Sequence, residues 1–226
     1  MTRLSILERI LRRFQPALNF VLYLPVKFLL SWRFDLVIEG QQNIPRKGPC
    51  LIAAKQNSNY DTLFIGICLW QVGVSSRYVM RDLYLPFLIR EPLVFLLACV
   101  GGRRIIRRRE VLMDKTRVKR RARLAEAKAR NRSLLALEVD NAGHLFFYPE
   151  GTRSKGKMQP FRKEFFASAL SMDKEILILP IGIEYVTKRK VVLRVGPPFP
   201  NRGELDPIVR QCYDDVRQLS NLRDDD

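Results

Sequence analysis

The sequence predicts an α/β fold: a single domain with a mixed, mostly central β-sheet covered by helices, preceded by an N-terminal amphipathic helical hairpin. Three observations lead there. From Leu36 onward short apolar runs alternate with helical stretches, the pattern of a sheet whose faces are covered. The chain has 226 residues, 47% of them hydrophobic, which is enough for a proper core and short enough to be one domain. The segment before Leu36 is built differently, so the chain divides into residues 1–34 and a larger domain at 35–226.

Leu4 to Phe34 is mostly apolar, yet Glu8, Arg9, Arg12, Arg13, Lys27 and Arg33 interrupt it, and Pro16 and Pro25 break helical hydrogen bonding. No stretch reaches the roughly 18 to 20 apolar residues that a membrane span requires. Two short helices lying in a membrane interface are expected instead. Phe14, Phe20, Tyr23, Phe28 and Trp32 would sit among the headgroups and the arginines would face anionic lipid. The alternative is a hairpin folded onto the domain.

Strands are expected at Leu36 to Glu39, Cys50 to Ala54, Tyr78 to Met80, Leu145 to Tyr148, Ile176 to Ile183 and Val191 to Val195. Gly40 to Pro49, with Pro45 and Gly48, reads as a turn joining the first two. Helices are expected at Thr62 to Trp70, Pro86 to Cys99, Glu110 to Arg130, Lys163 to Ser171 and Pro207 to Leu222.

The formal charge of +17 calls for an anionic partner: nucleic acid, anionic lipid or a phosphorylated substrate. Much of it lies between Arg103 and Arg132, where Val111, Leu112, Val118, Ala122, Ala125 and Ala129 supply only a thin apolar stripe. That segment reads either as a solvated helix face or as an electrostatic foot on an anionic membrane. Nucleic acid is disfavoured, because the aromatic residues cluster in the N-terminal segment and do not alternate with the basic ones as a stacking platform requires. The four cysteines, Cys50, Cys68, Cys99 and Cys212, are scattered and form no C-x-x-C pair, which argues against a disulfide framework and against a metal site. Free buried thiols fit a reducing compartment, and the N-terminus lacks the small-residue cleavage site of a secretory signal.

Two constellations carry the chemistry. The first, Ala53 to Thr62, follows a strand and enters a helix, and contains Lys55-Gln56-Asn57-Ser58-Asn59-Tyr60-Asp61. The second is Pro149-Glu150-Gly151-Thr152-Arg153-Ser154, at the end of an apolar strand, where ligand loops of α/β sheets sit. Gly151 would let the backbone approach a phosphate, Thr152 can donate a hydrogen bond, and Arg153 offers a planar fork suited to phosphate oxygens.

These segments resemble two motifs of the membrane-associated glycerolipid acyltransferases, the family that acylates lysophosphatidate (1-acylglycerol-3-phosphate). The first resembles a pattern in which a histidine and an aspartate flank four residues, often as Lys-His-Gln-Ser-x-Trp-Asp-Thr. Asp61 falls on the aspartate and Gln56 on the histidine. The second resembles Phe-Pro-Glu-Gly-Thr-Arg-Ser, which in the family binds the acceptor phosphate. The resemblance assigns that role to Glu150, Gly151, Thr152 and Arg153. Two further segments occur in the family's order. Gly101 to Arg107 resembles Gly-Gly-x-Phe-Ile-Asp-Arg and puts Arg107 on a second phosphate-contacting arginine. Ile178 to Gly182 resembles a Val-Pro-hydrophobic motif in which Pro180 shapes the acyl side of the site.

The resemblance covers about Ile38 to Gly196 and implies transfer of a fatty acyl group from acyl-CoA or acyl-ACP to the free hydroxyl of lysophosphatidate or a related lysolipid. The acyl carrier is a co-substrate, and no cofactor or metal is implied. The partners would be an anionic membrane surface and a phosphorylated lysolipid, met at the cytoplasmic face of a membrane by a monotopic or peripheral protein. Five residues depart from the pattern: Ile106 replaces an aspartate, Arg103 and Arg104 enter an apolar stretch, Glu164 replaces a glycine, and Gln56 the histidine. In the family the imidazole takes the hydroxyl proton as the oxygen attacks a thioester, and an amide does not accept a proton near neutral pH. Gln56 therefore leaves three states open: an active enzyme silenced by an introduced substitution, an enzyme with another base such as the substrate's own phosphate, or a lipid-binding relative without turnover. The single histidine, His144, precedes Glu150 along an extended strand, which places it about 20 Å away at roughly 3.3 Å per residue. A role at a strand-edge surface or turn is expected for it.

Overall fold

The computed structural model describes residues 21, 23–80, 102–104, 143–154 and 156–222, together with 125, 126, 129, 132, 133, 135, 136 and 139. The strands are β1 (Asp35–Glu39), β2 (Cys50–Ala54), β3 (Ser76–Met80), β4 (Gly102–Arg104), β5 (His144–Phe147), β6 (Leu177–Tyr185), β7 (Lys190–Val195) and β8 (Phe199–Pro200). Helices α1 (Asp61–Gln71), α2 (Glu164–Leu170) and α3 (Leu205–Leu219) pack around them, and residues 23–33 are helical before the sheet begins.

All eight strands form one mixed sheet in the order β1-β7-β6-β2-β5-β3-β4, with β8 pairing β6. From β6 to β4 every neighbouring pair is parallel, whereas β7 and β8 run antiparallel to β6. The register sets Cys50 level with both His144 and Leu177, so β2, β5 and β6 start together at one edge of the sheet. At the opposite edge Ala53 is level with Phe147 and Pro180. The loops after β2 and β5 therefore leave the sheet side by side.

Side chains alternate across β2, and both faces are covered. Cys50, Ile52 and Ala54 join Leu179, Ile181, Ile183 and the Phe64, Ile65 and Cys68 face of α1. Leu51 and Ala53 join Leu145, Phe147, Ile178, Phe166 of α2 and the Ile208, Val209, Cys212 and Val216 stripe of α3. Two apolar neighbours explain why β2 reads as an unbroken apolar run and not an alternating one. Each fully buried Leu, Ile or Phe in these layers contributes about 1.5–3 kcal/mol. Cys50, Cys68 and Cys212 are free and buried, as small hydrophobes of the core.

Several expectations need correction. Gly40 to Pro49 does join β1 to β2, but the two are not neighbours: β1 pairs only with β7 among the described strands, so this segment crosses β7 and β6 to reach β2. It carries a short 3-10 turn at Gln41–Asn43, with Asn43 Nδ2 donating to Val195 O at 2.9 Å. β4 and β8 were not anticipated, because three residues of a basic, glycine-rich stretch and a Phe-Pro pair carry no alternation. His144 is not at a strand-edge surface. It is buried at the start of β5, a strand flanked on both sides, where Nε2 donates to Pro45 O at 2.6 Å. Residues 1–20, and most of the expected helices Pro86 to Cys99 and Glu110 to Arg130, lie outside the described residues.

The helix at 23–33 rests on the domain through Tyr23, Leu30 and the buried Phe34. A methyl group built on Gly66 of α1 would lie 2.6 Å from the Tyr23 hydroxyl, so glycine is what lets the two helices touch. Its outer face is apolar, with Phe28 75% and Trp32 82% exposed beside Leu24 and Leu29. Among the described residues no helix is long and apolar enough to cross a membrane.

Candidate functional site at the strand ends

The two motif loops meet at the carboxyl ends of β2 and β5. Ser154 N donates to Gln56 O at 3.2 Å, and Arg153 Nη1 donates to Asn59 Oδ1 at 2.9 Å. Two pieces of chain almost a hundred residues apart thus form one surface.

Asp61 begins α1 and is wholly buried. Its Oδ2 accepts the backbone N–H groups of Asn57, at 2.6 Å, and Ser58, at 2.7 Å, while Oδ1 accepts the Tyr185 hydroxyl at 2.5 Å. The carboxylate therefore curls the Gln56–Tyr60 loop around itself, satisfying amides that precede the helix. Burial pushes its pKa up, against the bonds from Tyr185, Ser58 and Asn57 and the nearby Lys55 charge. The Tyr185 phenol is also raised, by burial first and then by the carboxylate it faces. Gln56, next to this knot, is partly exposed, and its side chain has no hydrogen-bond partner among the described residues.

The Pro149 to Ser154 loop has a buried back and an open front. Glu150 and Ser154 are buried, whereas Thr152 and Arg153 are exposed and Gly151 lies between. Gly151 has φ +64°, a left-handed conformation that side chains disfavour, and its N–H returns to Tyr148 O at 3.0 Å to close the turn. Behind it, Ser154 Oγ donates to Glu150 Oε2 at 2.5 Å. Burial raises the Glu150 carboxyl, opposed by that bond and by Lys55.

The sequence-predicted residues thus separate into groups. Gln56 and Asp61 share one loop; Gly151, Thr152 and Arg153 form the open lip beside it. Glu150 belongs to the interior of the same turn, where Oε2 accepts from Ser154 and the buried Oε1 has no hydrogen-bond partner among the described residues. Pro180 is buried in β6, on the face that packs against α3 and opposite the face that α1 covers. There it lies against Gly196, whose N–H donates to Pro180 O at 3.0 Å. The structure does not bring it to the Asp61 loop. Arg107 lies outside the described residues.

Four residues were missed. Lys55 Nζ, fully buried, lies 2.6 Å from Asn57 Oδ1, 2.5 Å from Ser154 O and 3.2 Å from Ser154 Oγ. Burial lowers its pKa, and the Glu150 and Asp61 charges oppose that shift. A lysine directly after five apolar strand residues was the available signal. Tyr185 comes to Asp61 from the far end of β6, which only the sheet register reveals. Tyr148, just beyond β5, shares a 2.8 Å hydrogen bond between its hydroxyl and Thr62 Oγ1 and pins the start of α1. Arg162 donates its N–H to Pro149 O at 2.9 Å, and a methyl group built on Gly151 would meet its guanidinium at 2.8 Å. A second guanidinium therefore lies against the lip.

Chemically, this edge offers an anion a left-handed glycine and exposed guanidinium groups, next to a loop held by a buried carboxylate. The sequence matches the acyltransferase family over residues 35–184. Among solved structures the fold is similar to the 1-acyl-sn-glycerophosphate (LPA) acyltransferase PlsC from Thermotoga maritima. The TM-score is 0.65, with 17% sequence identity over 96% of this chain and 83% of that one. At that identity the likeness is one of fold. No curated protein matches the sequence.

Proposed function

The chain belongs to the acyltransferase family, and we propose that it acts on lysophosphatidate or a related lysolipid, moving a fatty acyl group from acyl-CoA or acyl-ACP to the free hydroxyl. The single observation that carries this reading is the junction of the two loops, Ser154 N on Gln56 O and Arg153 on Asn59. A phosphate bound at the Gly151–Arg153 lip then places the rest of the acceptor over residue 56. The hydroxyl oxygen attacks the thioester carbonyl carbon, the carbon–sulfur bond breaks, and the products are the ester and the free thiol of the carrier. Gly151, Thr152 and Arg153 hold phosphate, with Arg107 as a further cation.

Gln56 decides how fast this runs. Neither oxygen of Asp61 is unengaged and the Lys55 ammonium donates to three acceptors, so neither of these two stands ready as a base beside residue 56. Losing a general base typically costs about 100-fold to 10,000-fold. Turnover then relies on the acceptor's own phosphate to receive the proton. The second reading, a lipid-binding relative without turnover, rests on the same residue.

Peripheral or monotopic membrane association fits the exposed Leu24, Phe28, Leu29 and Trp32 face. That helix stands beside the site, since Phe34 and Tyr60 pack as tilted rings with centroids 5.0 Å apart and Arg189 donates to Trp32 O at 3.1 Å. Acyl transfer from radiolabelled acyl-CoA to lysophosphatidate, measured for this chain and for Gln56→His, tests the proposal. Product with both, and faster with histidine, supports the enzyme. Product only with histidine selects the silenced relative, and product with neither removes the enzyme reading.

A further inference from the structure

A lysine with no accessible surface is costly, because an ammonium leaves water only when its hydrogens find acceptors and its charge finds a partner. Lys55 finds both. An ammonium carries three hydrogens, and Nζ has three acceptors within reach, one on Asn57 and two on Ser154. Asn57 belongs to the loop that Asp61 curls, and is fixed again by Nδ2 donating to Ile183 O at 3.1 Å. Ser154 closes the phosphate lip and passes its own hydrogen to Glu150. Lys55 therefore bonds both loops from their buried side, as the exposed Arg153–Asn59 pair joins them at the front, and Glu150 is buried beside it.

We propose that Lys55 is the positioning residue of the acceptor site. It sets the height of Gly151–Arg153 against the Gln56–Asp61 loop, with Glu150 as its counter-charge and not a phosphate contact. The proposal rests on the acceptor reading given above. Its consequence is geometric: a phosphate anchored on the lip presents the acceptor hydroxyl to residue 56 only if the two loops keep their separation. A misplacement of about 1 Å at such a point costs on the order of 100-fold in rate. Buried ionic groups are best attested where they fix register, and here the register is between loops that share no strand.

The test measures thermal stability together with calorimetric binding of a short-chain lysophosphatidate, which needs no turnover. Lys55→Met with Glu150→Gln removes both charges together; its Tm is expected to return to within about 4 °C of the parent, while binding stays at least about tenfold weaker. A merely structural lysine would give stability and binding back together, and that result overturns the proposal. If the double variant does not fold, Ser154→Ala serves, with a moderate fall in Tm and binding about fivefold weaker well below that Tm; unchanged binding overturns the proposal equally. Arg153→Ala separates the two levels. If it leaves binding intact, the acceptor reading fails and takes the proposal with it. If it abolishes binding while the Lys55 and Ser154 variants bind normally, only the role of Lys55 is lost.

Discussion

The two edges of the sheet both bury polar side chains, and they do so differently. At the edge where β2, β5 and β6 begin, His144 and Asn201 are buried against backbone atoms. His144 reaches Pro45 O, and Asn201 takes Ile176 N–H at 2.8 Å and gives a hydrogen to Ala169 O at 2.9 Å. At the edge where they end, the buried groups are Lys55, Asp61 and Glu150, ionisable residues whose neighbours are loops from two distant parts of the chain. The first edge closes a structure and the second holds a surface in place. A buried polar residue is thus not a sign of function by itself; what matters is that three charges are buried beneath an exposed, guanidinium-bearing lip.

The contrast is broken most severely at the charged edge. Lys55→Met alone leaves Glu150 and Asp61 uncompensated in the interior. Removing one partner of a buried pair costs about 3–5 kcal/mol, so the urea midpoint is expected to fall steeply. At the neutral edge Asn201→Ala strands a buried N–H and a buried carbonyl, with a loss of about 2–3 kcal/mol. Lysophosphatidate binding should survive that loss, and a parallel fall in affinity would show that the edges are not independent.

Much of this division was legible in the sequence. β2 and β6 are unbroken apolar runs because both faces are covered, and the two motifs placed Asp61 and the Gly151–Arg153 lip at strand ends. What was hidden depends on register. Tyr185 meets Asp61 only because Ala54 pairs with Ile181 in the sheet, and Lys55 meets Ser154 only because β2 and β5 run parallel and level. Motif reading placed Glu150 with its neighbours Gly151 to Arg153 as a substrate contact, whereas the turn sends its side chain inward. Pro180 was joined to the site by order along the chain, but a strand alternates its faces, and its parity sends it to α3. β8 escaped because a Phe-Pro pair has no period to detect.

A smaller effect sharpens the contrast from outside. The helix at 23–33 adjoins the charged edge, and its Phe28 and Trp32 touch little of the domain. Phe28→Ser with Trp32→Ser is expected to weaken partition to anionic phospholipid vesicles about tenfold while changing stability by less than about 0.5 kcal/mol each. Unchanged partition in a sedimentation assay would remove this helix from the membrane contact.

The smallest effect concerns pH. Burial depresses the pKa of His144 below its usual 6.5, so the unfolded chain binds the proton more readily than the folded one. Its contribution to stability is present above that value and lost as pH falls towards the folded pKa. Asp61 and Glu150 act in the opposite sense: their folded values are raised, so their contribution is present below the unfolded values and declines as pH rises through the folded ones. Between neutrality and about pH 5.5 the parent chain should therefore lose more stability than His144→Asn, by urea denaturation at each pH. Equal slopes would remove His144 from the account.

The central claim is that the lip at the charged edge receives the phosphate of a lipid acceptor. Its most direct test is calorimetric affinity for a short-chain lysophosphatidate against the same monoacylglycerol without phosphate, in the parent chain and in Arg153→Ala. The account predicts that the parent prefers the phosphorylated lipid at least about tenfold and that Arg153→Ala erases the preference. Equal affinity of the parent for both lipids, or a preference untouched by the loss of Arg153, would contradict it.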